Sequence, residues 1–173
     1  MNSLIQTNVI RFLGLVLIQG LILRNIGVGW ESFPYFNVLI YPIFILLLPQ
    51  RTPAPLVIFL GFLTGLSVDF FYNSLGVHAA ALTLSAFVRP LILKQLEPRG
   101  GYNNNYSPTA HRYGKAWFGW YAGIFMFIHC FTYFFVEAFT PYYIVDIWLK
   151  TIFSFVLSYF LIFLIQSLFN PVE

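Results

Sequence analysis

The chain has 173 residues, of which 59% are hydrophobic and only 9% charged, whereas soluble domains carry about 25% charged residues. This composition excludes a water-soluble fold, and the net charge of +3 is expected to report membrane topology, not nucleic-acid binding. The apolar runs approach the roughly 20 residues of a membrane-spanning helix and exceed the roughly ten-residue strands of a membrane β-barrel. We therefore predict an all-α integral membrane protein with a single domain over residues 1–173.

Hydropathy divides the chain into six predicted membrane-spanning helices. The N-terminal run has no basic residues ahead of its apolar core and no small-residue cleavage site after it, so we predict a retained first helix. Pro42 is expected to kink the second helix, and the proline-rich connector "PQRTPAP" suits the start of the third. The predicted helices cover residues 9–28, 33–49, 55–72, 75–93, 116–136 and 143–169.

Lysine and arginine residues predict the orientation of this bundle. Six predicted helices place both termini on one side, and only Arg24 and Lys150 approach the opposite side. The positive-inside rule therefore predicts cytoplasmic termini. The longest connection, residues 94–115, is predicted to be a solvated cytoplasmic loop or, alternatively, a docking strip for acidic lipids or a cytoplasmic partner. The cations predicted on the cytoplasmic side are Arg11, Arg51, Lys94, Arg99, Arg112 and Lys115.

Small residues of the third and fourth predicted helices indicate close helix packing. Gly61 and Gly65 share a face of the third helix with Asp69, because the three are spaced four residues apart. Ala79 and Ala80 begin the alanine-rich fourth helix. Small residues at this spacing let helix backbones approach closely in lipid. They predict a tightly packed hairpin and a surface that receives the helix of a partner protein.

Asp69 and His78 lie at mirrored distances from the turn "NSLG" between these two helices. We expect them to meet across the hairpin, with Asn73 or Gly76 adopting the backbone angles of a tight reversal. An ionised aspartate near the bilayer centre costs about 2.5–3.5 kcal/mol on insertion scales. Asp69 is therefore predicted to face protein, a partner or a watery cavity, and not lipid.

Arg24, Glu137 and Lys150 are expected at a similar outer depth, so we predict an outer polar cluster of these three residues with Asp69 and His78. Three interpretations stay open at this point: a structural network of ion pairs, a pocket for a small ligand or a partner's helix, and an acid–base site. The third is the weakest, because the sequence has no zinc-protease motif, no nucleophile elbow and no metal-ligand cluster. No feature requires a cofactor.

The hairpin sequence "FLGFLTGLSVDFFYNSLGVHAAALTLSAF" resembles the signature hairpin of the MreD family of bacterial rod shape-determining proteins. The matching positions are Gly61, Gly65, Asp69, Gly76 and His78. This motif covers about a sixth of the chain, and elsewhere the resemblance lies in length and predicted topology.

The resemblance implies a non-enzymatic subunit of the cell-elongation machinery in the bacterial inner membrane. It implies an MreC-like scaffold as partner and indirect links to MreB filaments, RodA and a penicillin-binding transpeptidase, with no nucleic acid. It also implies a fold like that of the six-helix S-components of energy-coupling-factor transporters. The alternative function is therefore a subunit that binds a vitamin-type small molecule in a pocket lined by Asp69, His78, Arg24 and Glu137.

Overall fold

The computed structural model describes residues 2–25, 35–74, 76–103 and 106–168, with side chains from Gln6 onward. The regular secondary structure of these residues is entirely helical. They contain five helices long and apolar enough to cross a membrane, in agreement with the predicted helical class and with a multi-pass membrane protein, but not with the predicted count of six. These five are Gln6–Leu23, Ala54–Tyr72, Val77–Gln95, Lys115–Ala138 and Pro141–Leu168.

Seven α-helical elements follow one another in the described residues. Helix α1 continues as π-helical turns over Ile18–Leu23, and a 3₁₀ turn at Pro141–Tyr143 precedes α7. Predicted positions 26–28, 33–34, 75 and 169 lie outside the described residues. The elements are α1 Asn2–Leu17, α2 Ile43–Leu46, α3 Ala54–Tyr72, α4 Val77–Gln95, α5 Ala110–Tyr113, α6 Lys115–Ala138 and α7 Ile144–Leu168.

The long helices pack in a simple order. α3 pairs with α4, α4 with α6 and α6 with α7, while α1 and its π-helical continuation lie against α3. We name the end at which α3 and α6 begin the basic end, because exposed cations surround it, and the opposite end the hairpin end. The hairpin end contains the turn that joins α3 to α4.

The second predicted helix, over residues 33–49, is mostly non-helical in the structure. Residues 36–40 have no regular secondary structure, only Ile43–Leu46 form a helix, and every residue from 39 to 49 is buried. Pro42 does not kink a long helix but stands immediately before α2, with φ −63°. The residue before a proline is disfavoured in helical conformation, which helps to keep the preceding residues out of a helix. We call residues 36–49 the buried segment.

Side chains of the surrounding helices satisfy the backbone of the buried segment. The Asn37 N–H donates to Ser154 Oγ and the Leu39 N–H to Ser158 Oγ, both at 2.9 Å. Gln19 serves two backbone groups, donating to the Val38 carbonyl at 2.8 Å and accepting from the Ile40 N–H at 2.9 Å. Non-helical backbone at membrane depth is tolerated only where protein or water supplies such partners.

The carboxyl half of the buried segment is bonded in the same way. The Tyr121 hydroxyl donates to the Leu46 carbonyl at 3.0 Å, and the Arg89 guanidinium donates to the Leu48 carbonyl and to the Tyr121 hydroxyl. Arg89 is only 2% exposed, so its charge is held inside the bundle by these oxygens.

The described part of the loop between α4 and α5 packs onto the basic end through some of its residues, while others, such as Glu97 and Arg99, are exposed. The Tyr102 hydroxyl donates to the Leu93 carbonyl, and Trp117 Nε1 donates to the Leu96 carbonyl, both at 2.7 Å. Burial raises the pKa of Tyr102 to about 12, so the phenol keeps its proton, and this hydrogen bond, at alkaline pH where an exposed tyrosine would ionise.

Removing the Ser158 hydroxyl tests the role of the buried segment. Ser158→Ala leaves the Leu39 N–H without its acceptor, and we expect the free energy of unfolding in detergent to fall by about 1–3 kcal/mol. The control is Ser67→Ala, because the Ser67 hydroxyl bonds only the Leu63 carbonyl of its own helix near the surface. Equal losses in the two variants would contradict the proposed support.

Candidate functional site

The predicted contact between α3 and α4 forms through glycine. A Cβ atom added to Gly65 would lie 2.4 Å from the Ala79 Cα and 2.5 Å from the His78 carbonyl oxygen. At Gly61 the contacts are wider, at 3.0 Å from the Ala86 Cβ and 3.1 Å from the Leu82 carbonyl oxygen. The two helices therefore touch backbone to backbone at the hairpin end.

This contact changes the interpretation of the residues predicted to receive a partner's helix. Gly61, Gly65 and Ala79 are buried in the hairpin itself, so α4 of the same chain occupies the glycine face. Ala80 is exposed. Of the four predicted packing residues, only Ala80 lies on a surface that a partner could reach.

Asp69, near the end of α3, caps the first turn of α4. Its Oδ1 accepts hydrogen bonds from the His78 N–H and from His78 Nδ1, each at 3.0 Å, and from the Ser74 hydroxyl at 2.5 Å. Its Oδ2 accepts from the Ala79 N–H at 2.9 Å. The first N–H groups of a helix lack intrahelical partners and carry partial positive charge, so a carboxylate stabilises them.

The His78 side chain completes this cap. A carboxylate only accepts hydrogen bonds, so His78 Nδ1 carries the hydrogen that points at Asp69. The ring is fully buried among Tyr41, Tyr72 and Tyr133, with centroid distances of 5.6, 4.6 and 4.8 Å. Within the described residues its Nε2 atom has no hydrogen-bond partner. We name Asp69, Ser74, His78 and Ala79 the hairpin cap.

The turn uses both residues that were predicted to allow the reversal. Asn73 has φ 54° and ψ 34°, and Gly76 has φ 83°. Both lie in the left-handed region, which glycine and asparagine adopt more readily than other residues. The Asn73 N–H also bonds the Asp69 carbonyl, which closes α3.

The predicted outer polar cluster separates into three parts. Within the described residues Asp69 forms an ion pair only with His78, and its two oxygens are already occupied by four hydrogen bonds. Lys150 and Glu137 form a partly exposed ion pair at 3.2 Å, because the short connection between α6 and α7 brings them face to face. The exposed Arg24 guanidinium donates to the Phe71 carbonyl. The five residues therefore do not form one network or one pocket.

A second buried polar group lies behind the hairpin cap. His129 Nε2 and the Tyr41 hydroxyl are 2.9 Å apart, and His129 Nδ1 and the Ser85 hydroxyl are 3.2 Å apart. Tyr41 was not predicted from the sequence as the partner of His129. The signal was present, since a tyrosine beside a proline in an apolar run needs a hydrogen-bond partner for its hydroxyl when buried.

The hairpin cap is enclosed by the protein. Asp69 is 2% exposed and His78 is not exposed, so neither can meet a dissolved substrate in this conformation. The described residues contain no group of three or more histidine, cysteine, aspartate or glutamate side chains arranged to hold a metal ion. The cap can orient and stabilise α4, and it fixes the angle between α3 and α4.

No protein-family model, curated protein or solved structure matches this chain. The resemblance to the MreD family therefore depends on the hairpin residues, and the function has to be argued from their geometry.

Three glycine-to-alanine variants grade the closeness of the hairpin contact. We expect Gly65→Ala to lower the free energy of unfolding by about 3 kcal/mol and Gly61→Ala by about 1 kcal/mol. The difference arises because the new methyl group at Gly65 meets backbone atoms of His78 and Ala79, which cannot move aside without shifting α4. Gly14→Ala is the control, since a Cβ there meets nothing within 4 Å. It should raise stability by up to about 1 kcal/mol. Similar effects at Gly65 and Gly14 would contradict the contact.

Asp69→Leu tests the hairpin cap. It leaves two buried N–H groups and the His78 ring without their acceptor, so we expect a loss of about 3–5 kcal/mol. The control is Glu137→Leu, which breaks a partly exposed ion pair and should cost about 0–1 kcal/mol. Unfolding of both variants in detergent measures the difference, and equal costs would show that Asp69 does not cap α4.

Proposed function

We propose that this protein is a non-enzymatic membrane scaffold of the bacterial cell-elongation machinery, similar to the MreD family, and that it binds an MreC-like partner. One observation carries the proposal: the five residues that resemble the family motif belong to one structural unit. Gly61 and Gly65 bring α3 and α4 together, Asp69 and His78 form the cap, and Gly76 turns the chain.

The burial of this unit favours a scaffold over a catalyst. A general acid or base must reach the proton that it transfers. The carboxylate of Asp69 instead holds four hydrogen bonds within the hairpin and is almost completely enclosed. A motif used in this way specifies a rigid helical hairpin, which is what a scaffold needs to present a fixed surface to its partners.

The distribution of charge supports the proposed location and orientation. Exposed cations surround the basic end, where Glu97 is the only acidic side chain among the described residues. By the positive-inside rule this end faces the cytoplasm, so we propose a multi-pass protein of the inner membrane with both termini inside. The exposed cations are Arg51, Lys94, Arg99, Arg112 and Lys115.

A second candidate function is a subunit that binds a small polar molecule, as S-components do. It is favoured by a cavity of about 400 Å³ at the hairpin end, lined in part by Glu137, Asp146 and Lys150. Its volume falls within the usual range of about 300–1,000 Å³ for ligand pockets. Asp69 and His78 are not part of its lining, so this candidate requires a different ligand site from the one predicted.

Affinity capture from the membranes of the native bacterium separates the two candidates. The tagged protein, purified in mild detergent, should retain an MreC-like scaffold together with peptidoglycan synthases, as identified by mass spectrometry. Depletion of the protein should convert rod-shaped cells to rounded ones. Capture of an ATPase pair with a transmembrane coupling subunit, and unchanged cell shape, would contradict the scaffold and favour the ligand-binding candidate.

Ala80→Trp refines this experiment. Ala80 is exposed on α4, so a tryptophan there should reduce capture of the MreC-like partner at least tenfold while leaving the unfolding free energy within about 0.5 kcal/mol of wild type. Val156→Trp, on an exposed position of α7, is the matched control and should capture the partner normally. Normal capture by Ala80→Trp would exclude this surface.

A further inference from the structure

An apolar groove runs between α1 and α3 on the outside of the bundle. Its volume is about 650 Å³, and side chains of the buried segment, including Phe44 and Leu48, contribute to its lining. Several of its apolar residues are well exposed, so the groove opens toward the bilayer. Those residues include Val9, Leu56 and Leu63.

The groove has a cation at one end. Arg51 and Thr52 line it at the basic end, immediately before α3 begins at Ala54. Arg51 is exposed, and its guanidinium has neither a hydrogen bond nor an ion pair with the other described residues. The partial positive charge at the start of α3 adds to that of Arg51. The groove is therefore amphipathic, with apolar walls and a positive end.

The length of the groove indicates what can occupy it. Its α3 wall reaches from the start of the helix at Ala54 to Leu63, which corresponds to roughly 14 Å at 1.5 Å per residue. This is close to the thickness of one leaflet, which is about half of the roughly 30 Å hydrocarbon layer. The helix of a partner protein would cross both leaflets, whereas an acyl chain ends near the bilayer centre. The dimensions favour a lipid.

We propose that this groove binds an anionic phospholipid of the leaflet at the basic end, with one acyl chain against the apolar walls and the phosphate on Arg51. A headgroup with net negative charge complements a guanidinium that has no carboxylate partner in the described part of the chain, and guanidinium groups bind phosphate by paired hydrogen bonds. Such a lipid would fill the space between α1 and α3 and hold the two helices together at this end.

Native mass spectrometry of the purified protein with added lipids tests the proposal. Phosphatidylglycerol and phosphatidylcholine with identical acyl chains are compared, so that only the headgroup differs. We expect phosphatidylglycerol to bind about fivefold more tightly, which is the contribution of one cationic residue near an anionic surface. Arg51→Gln should remove this preference. Arg99→Gln, which removes an equal charge from the same end but lies outside the groove lining, should retain it.

A second pair of variants tests the acyl-chain position independently of charge. Leu63→Trp fills the groove and should weaken binding of both lipids. The control is Leu66→Trp, which changes an exposed residue of the same helix outside the lining and should leave lipid binding unchanged. Three results would overturn the proposal: equal binding of the two lipids, equal losses in Arg51→Gln and Arg99→Gln, or unchanged lipid binding by Leu63→Trp. Loss of a protein partner in Leu63→Trp with unchanged lipid binding would assign the groove to that partner.

Discussion

The buried segment imposes the constraint on which the rest of this structure depends. Residues 36–40 run through the bundle without regular secondary structure, so their N–H and C=O groups need partners that lipid cannot supply. Gln19, Ser154 and Ser158 provide them from the two helices at the ends of the described chain. These three polar residues of otherwise apolar helices are thereby explained as hydrogen-bond partners, and α1 with its π-helical continuation and α7 are tied to one central element.

Asp69 and His78 likewise form their hydrogen bonds within the protein. Asp69 and His78 look like a site in the sequence because ionisable residues are expensive in a membrane and often functional. In the structure their hydrogen bonds are used to start α4 and to fix it against α3. The hairpin is therefore held together by its own residues, and the binding surfaces that we propose lie elsewhere: the exposed side of α4 at Ala80 and the groove that ends at Arg51.

Local sequence signals were sufficient for some features and insufficient for others. Pro53 and Pro55 mark the start of α3, and the spacing of Asp69 and His78 about the turn led correctly to their contact across it. The run over 33–49 gave no such guide, because an apolar stretch has the same hydropathy whether it forms a spanning helix or a buried segment that is mostly non-helical. Its conformation depends on side chains distant in sequence, such as Ser158. Likewise, the glycine spacing predicted both a tightly packed hairpin and a surface for a partner's helix, but it could not show that α4 of the same chain already occupies the face of Gly61 and Gly65.

Amide hydrogen exchange, resolved by residue in detergent micelles, tests the central claim about the buried segment most directly. The structure predicts slow exchange at Asn37, Leu39 and Ile40, with Ser158→Ala accelerating exchange at Leu39 far more than at Ile40, which bonds Gln19. In a continuous helix the Leu39 N–H would instead bond a carbonyl four residues earlier and would not respond to Ser158. Fast exchange in the wild-type protein, or no local response to Ser158→Ala, would contradict the account.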